Sequence, residues 1–151
     1  MKAEVEAMGS AYGYRLLERL VGPADQGDWP ELEDENARAL LLSCVHHAND
    51  MSYCHEVRAI SLSETPDAEH ADFTREAAGP WLLAKVPWTT AEHRISAINA
   101  DRSSAQTFKL SSGTACLVIE RNLQNRNVVT HVRLTHPGIA HQLVAKHTPF
   151  D

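Results

Sequence analysis

Short apolar runs rich in β-branched residues, separated by turn residues, fill much of this chain and are typical of β-strands. Residues 12–21 form the first run and stop at a Gly-Pro pair. Residues 39–47 and 51–60 form the next two, on either side of Asn49 and Asp50. Because Asn and Asp favour tight turns, these two runs are predicted to pair as an antiparallel hairpin.

The second half of the chain shows the same pattern. Residues 92–99 are predicted to form a strand, and residues 115–123 and 128–136 are two β-branched runs separated by a polar connector. The last run stops at Pro137 and Gly138, where a strand loses a hydrogen-bond donor and the chain can turn. These two runs are predicted to form a second hairpin.

Helices are predicted to be few and short. The candidates are a polar helix over residues 1–8 that ends at Gly9, a helical turn over residues 67–73, a helix that Gly79 and Pro80 open and that continues to residue 86, and a helix over residues 101–110 with Asp101 as its cap. Each begins or ends at a residue type that is common at helix ends.

The remaining segments complete the prediction of an α+β domain. Residues 26–35 are acidic and rich in turn residues, which indicates a surface loop, and residues 142–146 are a candidate for an additional edge strand. Strands joined by hairpins, with helices between the pairs, favour a mainly antiparallel sheet of about six strands with helices packed against it.

The composition is that of an ordinary globular domain. A chain of 151 residues can bury a core of its own, and its 43% hydrophobic and 23% charged residues include no apolar run long enough to cross a bilayer. The acidic start has no apolar segment of the secretory type, so the expected location is the cytoplasm. A net charge of −6 without any Lys/Arg stripe argues against DNA binding by these residues alone.

The sequence contains no motif for metal binding or catalysis. Cys44, Cys54 and Cys116 lie in apolar or strand-like runs and are expected to be free buried thiols. The nine histidines are scattered and form no His-x-x-x-His pair, so no metal site is expected. Because a Gly-rich phosphate loop and a Gly-x-Ser-x-Gly turn are also missing from the sequence, neither a cofactor nor nucleophilic catalysis is predicted.

Strand alternation shows which polar side chains can converge. Glu56 and Arg58 lie two apart, so they share one face of their strand and can line one wall of a pocket, although a surface ion pair has the same spacing. On the preceding strand His46 shares a face with Cys44. A structural histidine within the core is the alternative interpretation of His46.

The last hairpin has two chemically different faces. Thr130 and His136 lie on one face, and Arg133 lies on the other. All three cannot contact one ligand unless a bulge changes the alternation. A dimer contact or a loop contact is therefore the alternative for Arg133.

Three segments together resemble a known family. They are the last hairpin with its Thr-His-Pro-Gly ending, the Asp-Phe-Thr of residues 72–74, and the Glu-His-Arg-Ile-Ser-Ala of residues 92–97. They are similar to the effector-binding UTRA domain of bacterial histidine utilization repressors, which follows a GntR-type DNA-binding domain. The resemblance extends over about residues 4–150 and implies an α+β fold like that of chorismate lyase.

The resemblance also implies a function without catalysis. Residues 1–9 would be a connector from a missing N-terminal winged helix-turn-helix domain, and residues 10–151 would be the ligand-binding domain. The protein would contact DNA only through the missing domain. The implied effector is a small carboxylate such as urocanate, and a homodimer is the implied assembly. The implied ligand-binding residues are His46, Glu56, Arg58, Gly79, Trp81, Thr130, Arg133 and His136.

For two of these residues, Gly79 and Trp81, a ligand contact is less direct than the resemblance implies. Other UTRA domains have a hydroxyl residue where this chain has Gly79, so only the free backbone N–H groups of the helix start could bind a carboxylate there. Trp81 could equally be a core residue. A free-standing small-molecule binder and a chorismate lyase-like enzyme remain the alternatives, because a shared fold does not supply a shared reaction.

Overall fold

The computed structural model describes residues 1–23 and 38–149. Over these residues the chain forms six strands, three α-helices and two 3-10 turns. The strands are β1 (Tyr12–Pro23), β2 (Arg38–Ala48), β3 (Met51–Ser61), β4 (Thr90–Asn99), β5 (Ala115–Asn125) and β6 (Asn127–Pro137). The α-helices are α1 (Lys2–Ala7), α2 (Ala78–Lys85) and α3 (Arg102–Phe108), and the 3-10 turns span Pro66–His70 and Gly138–Ala140.

All six strands belong to one antiparallel sheet with the order β1-β2-β3-β6-β5-β4. Each half of the sheet is a three-stranded meander, and the pairing of β3 with β6 joins the two halves. The predicted α+β fold with about six antiparallel strands is confirmed.

Two apolar clusters cover one face of the sheet. The first packs α2 and the Pro66–His70 turn against β2 and β3, with Leu40, Ile60, Phe73 and Leu82 at its centre. The second packs α1 against β3, β5 and β6 through the fully buried Val5. Helix α3 lies on the opposite face, where the Phe108 ring contacts His55 edge-on.

Bulges interrupt the strand alternation at defined places. Between β2 and β3 the extra residue is Tyr53, so Tyr53 and Cys54 are both buried. Between β5 and β6 the extra residue is Val129. Because this bulge precedes Thr130, alternation continues without interruption from there to the end of β6.

The helix ends follow the predicted capping chemistry. Gly9, with φ of 79°, follows α1, and the Asp101 side chain accepts a 2.7 Å hydrogen bond from the Ser104 backbone N–H at the start of α3. Pro80 lies in the first turn of α2, where its missing N–H costs little. Every helix in the described part of the chain is too short or too polar to cross a bilayer.

The prediction of an edge strand at residues 142–146 is wrong. After Pro137 the chain forms a 3-10 turn and packs the His141 ring on Tyr53 and His136, and the residues that follow have no regular structure. The outer strands of the sheet are β1 and β4. The predicted surface loop at residues 26–35 lies outside the described residues.

Candidate functional site

A group of polar side chains interrupts the apolar face of the sheet between its two clusters. Along β3, Ile60 belongs to the first cluster and Cys54 to the second, while Glu56 and Arg58 lie between them. Their neighbour on β2 is His46, which is fully buried. Charged groups at the centre of a sheet need partners, because an unpaired buried charge is strongly unfavourable.

Each of these charges is paired within the group. The Glu56 carboxylate accepts hydrogen bonds at 3.0 Å from His46 Nε2 and at 3.0 Å from Arg58 Nε. The Tyr12 hydroxyl lies 2.7 Å from His46 Nδ1. Arg58 Nη1 donates to Thr130 Oγ1 at 3.3 Å, and the Thr130 hydroxyl donates to the Ala59 carbonyl on β3. The hydroxyl therefore fixes the position of the guanidinium.

The network keeps Glu56 ionised. Burial by itself would raise the pKa of the Glu56 carboxyl, but the charge of Arg58 and the hydrogen bond from His46 outweigh it and lower the pKa to about 2. Burial raises the pKa of the Tyr12 and Tyr14 hydroxyls, with further contributions from Cys44 and Glu56, so both phenols stay protonated. The site thus presents one fixed carboxylate, one fixed guanidinium and neutral hydroxyls.

These residues line a cavity of about 600 Å³. Its walls include His46, Glu56 and Arg58 from the sheet, Gly79 and Pro80 from α2, and Met1 and Lys2 from the start of the chain, where α1 begins. Among the described residues the lining contains four cationic side chains, of Lys2, Arg58, Arg75 and Arg121, and two carboxylates, of Glu56 and Glu76. The excess of positive charge suits an anionic ligand.

Gly79 brings the start of α2 against the guanidinium. A Cβ at this position would lie 3.2 Å from Arg58 Nη2, which is tighter than ordinary contacts. None of the described side chains caps the N-terminus of α2, and Gly79 lies in the first turn of the helix, where backbone N–H groups lack intrahelical partners. The first turn of α2 and the Arg58 guanidinium therefore lie side by side in the lining of the cavity.

His136 lines a neighbouring cavity of about 690 Å³. Its Nδ1 lies 3.1 Å from the Tyr53 carbonyl, and its ring stacks on His141 at 3.8 Å between centroids. Burial and the neighbouring His141 lower the pKa of His136 to about 4, so this imidazole is neutral at pH 7. Arg121 and Leu134 line both cavities, so the two cavities adjoin each other at these side chains.

Two predicted site residues lie elsewhere. Trp81 packs edge-on against Phe73 beside the first apolar cluster, and Lys85 Nζ lies 5.1 Å from its ring centroid. Arg133 is exposed, and its register with Glu120 and Val57 places it on the opposite face of the sheet. The structure therefore brings together His46, Glu56, Arg58, Gly79 and Thr130, but not Trp81 or Arg133, and places His136 in the adjoining cavity.

Three polar strand residues that line the 600 Å³ cavity were missing from the predicted set. Tyr12 and Tyr14 share one face of β1 and reach the cavity beside His46. Arg121 is the register partner of Val132, so it shares the face of Thr130. Strand alternation could have found all three once the pairing of the strands was known.

Sequence comparison assigns this arrangement to a family. A family model described as the UTRA domain matches residues 7–142. The chain belongs to the UTRA domain family. This UTRA domain is 34% identical over 110 residues to the histidine utilization repressor of Pseudomonas aeruginosa, a match that covers 72% of this chain and 44% of that repressor. The chain thus spans less than half the length of the curated relatives it matches.

Solved structures agree with the family assignment. The C-terminal domain of the histidine utilization repressor from Pseudomonas syringae pv. tomato superposes on the UTRA domain with a TM-score of 0.83 at 28% identity, covering 91% of this chain and 99% of that one. The effector domain of PhnF from Mycobacterium smegmatis has the same fold, with a TM-score of 0.83 at 15% identity over 97% of this chain and 94% of that one.

Proposed function

We propose that this UTRA domain is the effector-sensing domain of a transcriptional repressor of histidine utilization and that it binds a small carboxylate such as urocanate. The relatives named above from Pseudomonas aeruginosa and Pseudomonas syringae are histidine utilization repressors, which favours a regulator over an enzyme. The observation that carries the ligand proposal is the buried Glu56–Arg58 pair, which faces a cavity with an excess of positive charge. The volume of this cavity lies in the range of small-molecule sites.

The carboxylate of the effector would bind where Arg58 meets α2. Arg58 Nε and Nη1 already donate to Glu56 and Thr130, whereas Nη2 donates to none of the described residues. Nη2 lies beside Gly79 in the uncapped first turn of α2. A guanidinium N–H and a backbone N–H together match a carboxylate by charge-assisted hydrogen bonds.

The imidazole ring of urocanate would bind towards Glu56. This carboxylate stays ionised and has lone pairs beyond those used by His46 and Arg58, so it can accept a hydrogen bond from a ring N–H. Both nitrogens of His46 are already engaged, by Tyr12 and by Glu56. His46 therefore orients Glu56 and is not itself the expected ligand contact.

Helix α1 would connect the effector to DNA binding. Met1 and Lys2 border the effector cavity, while Val5 is buried among residues of β3, β5 and β6. We infer that residues 1–9 are the connector to a winged helix-turn-helix domain of the whole cytoplasmic repressor and that residues 10–151 sense the effector. The effector would change operator affinity only by binding two states of the repressor differently.

Isothermal titration of the purified chain with urocanate tests this proposal, with histidine and imidazole propionate as comparison ligands. Selective binding of urocanate is expected, and Arg58→Ala should weaken it by at least about tenfold, since a charge-assisted hydrogen bond contributes about 1.5–3 kcal/mol. Arg133→Ala is the matched control, because it removes the same side chain from the exposed opposite face.

Two results would contradict the proposal. Absence of heat with all three ligands would argue against an imidazole carboxylate as the effector, and equal losses in both arginine variants would argue against the cavity as the site. Turnover of chorismate by the chain would favour the enzyme alternative.

We also propose a homodimer, on the resemblance to UTRA domains that pair through their sheets. Among the described residues the outer strand β4 is exposed along most of its length, and Ile95 on it is 55% exposed. Light scattering coupled to size-exclusion chromatography tests the assembly. A monomeric mass at micromolar concentration would contradict it.

A further inference from the structure

Three potential metal ligands of different chemistry meet at the buried end of the effector cavity. The thiol of Cys44, the imidazole of His46 and the carboxylate of Glu56 each offer one donor atom, and these three atoms all lie within 4.8 Å of one another. All three side chains are buried. Sequence motifs predict no metal site here. Cys44 and His46 lie two residues apart on β2, and Glu56 lies on the neighbouring strand β3, so the three form no compact sequence motif.

The distances between the donor atoms are close to those of a metal centre. Cys44 Sγ lies 3.7 Å from His46 Nε2, which in turn lies 3.0 Å from Glu56 Oε1. Tetrahedral Zn²⁺ with bonds of about 2.3 Å to sulfur and about 2.0–2.1 Å to nitrogen or oxygen holds such donors about 3.4–3.6 Å apart. Two of the three spacings therefore lie within a few tenths of an ångström of those in a zinc centre, and the spacing between Cys44 and Glu56 is at most 4.8 Å.

The surrounding residues are placed as the outer partners of a metal site would be. The Tyr12 hydroxyl lies 2.7 Å from His46 Nδ1, the ring nitrogen opposite the one that faces Cys44 and Glu56. Arg58 Nε holds the other carboxylate oxygen, Oε2, and so directs Oε1 towards His46. Hydrogen bonds of this kind fix the orientation of metal-binding imidazoles and carboxylates.

We propose that Cys44, His46 and Glu56 form a binding site for a divalent transition-metal ion of the Zn²⁺ class. Three protein ligands leave a fourth position, and His46 and Glu56 border the cavity, so that position faces the effector cavity. The mix of sulfur, nitrogen and oxygen donors suits Zn²⁺ or Co²⁺ and disfavours Mg²⁺ and Ca²⁺, which take oxygen ligands. This inference goes beyond the proposed function and does not depend on the effector.

Binding of the metal ion would move one proton within His46 and release one from Cys44. Without metal, His46 Nε2–H donates to the charged Glu56 and Nδ1 accepts from the Tyr12 hydroxyl. With metal, Nε2 becomes a ligand, its proton moves to Nδ1 and is donated to the Tyr12 oxygen, and the Cys44 thiol releases its proton to solvent. The site gains two charges from the ion and loses one with the thiol proton, and the net positive charge would strengthen binding of an anionic effector.

Titration of the purified chain with Co²⁺ tests the site, because cobalt bound by thiolate gives a ligand-to-metal charge-transfer band in the near ultraviolet. One equivalent of Co²⁺ should produce that band, and Zn²⁺ should displace it. Cys44→Ser should abolish the band. Cys116→Ser should keep it, since Cys116 is also a buried strand thiol but packs in a separate cluster with Ala100 and Ala105.

Absence of the band from the unmodified chain, or an equal band in Cys44→Ser, would overturn the proposal. X-ray absorption of the zinc-loaded, unmodified chain provides a measurement that needs no variant: one sulfur and two or more nitrogen or oxygen neighbours are expected, and a shell without sulfur would contradict the site. Urocanate titration of chelator-treated protein is a separate test, so failure of metal binding would leave the proposed function standing.

Discussion

At the scale of single residues, the chain contains two Glu-x-Arg pairs in different environments. Glu56 and Arg58 are 6% and 8% exposed, with 3.0 Å between carboxylate and guanidinium, whereas Glu92 and Arg94 are 61% and 68% exposed at 3.3 Å. Water screens the outer pair and leaves it little net energy. In the inner pair each charge depends on its partner, because both side chains are more than nine-tenths buried.

Glu56→Gln should therefore destabilise the fold far more than Glu92→Gln. The amide keeps the shape of the side chain but leaves the Arg58 charge buried without its anion, a loss of about 3–5 kcal/mol, while the exposed pair should change stability by less than about 1 kcal/mol. Urea unfolding of both variants measures the difference. Equal midpoints would show that water reaches the buried pair.

His136 should make stability depend on pH. Burial and the adjacent His141 lower its folded pKa to about 4, below the ordinary value of 6.5. Between these values the unfolded chain binds a proton that the folded chain does not, so stability is full above pH 6.5 and falls as the pH drops towards 4. The loss between pH 7 and pH 5 is expected to be about 2 kcal/mol.

Urea unfolding at pH 7 and pH 5 measures this loss. His136→Gln should flatten the pH dependence by that amount, since glutamine does not titrate. His93→Gln, on the exposed strand β4, serves as the control and should leave the slope unchanged. An unchanged slope in His136→Gln would show that folding does not shift the pKa of His136.

The sequence could predict the residues of the buried pair but not all of their partners. Spacing alone placed Glu56 and Arg58 on one face, and the continuous alternation after the Val129 bulge placed Arg133 on the other. Tyr12 and Arg121 were missed because their contacts depend on which strands pair, and that information is not local.

At the scale of elements, Gly138 is needed for the close approach of two chain segments. It follows the last residue of β6, where Pro137 pairs with Cys116, and a Cβ on Gly138 would lie 2.9 Å from the Ala115 carbonyl oxygen. Backbone atoms cannot move aside as a flexible side chain can. The Pro-Gly ending of the hairpin is therefore a packing requirement as well as a turn.

Gly138→Ala should destabilise the chain by about 1–3 kcal/mol, the usual cost of overpacking. Gly22→Ala on β1 is the matched control, because a Cβ there meets no atom of the described residues within 4 Å. Thermal unfolding of both variants checks the prediction. A Gly138→Ala midpoint equal to that of the control would mean that β5 and the turn can separate without loss.

Local pattern predicted most of the elements. Turn residues, caps and β-branched runs gave six strands and the three α-helices, since each of these signals acts within a few residues. The prediction of a strand at residues 142–146 was wrong, because the position of this segment is determined by the packing of His141 on Tyr53 and His136. Such long-range ring contacts leave no periodic pattern in the sequence.

At the scale of the whole molecule, the pairing of β3 with β6 decides where the site lies. It joins two meanders that are far apart in sequence and brings Thr130 to Arg58. Non-local pairing of this kind cannot be derived from hairpin signals, although hairpin signals place each strand correctly. Resemblance to a family supplied the information that the pattern lacks.

Helix α1 gives the last prediction, because it is too short to be stable alone. A helix of six residues gains little from its own hydrogen bonds, so its position depends on the burial of Val5. Val5→Ala should remove about 1–2 kcal/mol of apolar contact. Because Val5 is the buried residue of α1 and the helix contributes no strand to the sheet, we expect this loss to promote local opening more than global unfolding.

Native-state hydrogen exchange separates these two outcomes. The Met8 amide, which donates to the Glu4 carbonyl at 3.3 Å, should exchange about tenfold faster in Val5→Ala, while the urea midpoint should change little. Glu6→Ala, on the exposed side of α1, should alter neither. Because Met1 and Lys2 border the effector cavity, urocanate should also bind Val5→Ala more weakly than Glu6→Ala. A fall in the urea midpoint, with exchange at Met8 and at sheet amides accelerated by the same factor, would instead mean that α1 and the sheet unfold as one unit, so that an effector could not move the helix separately.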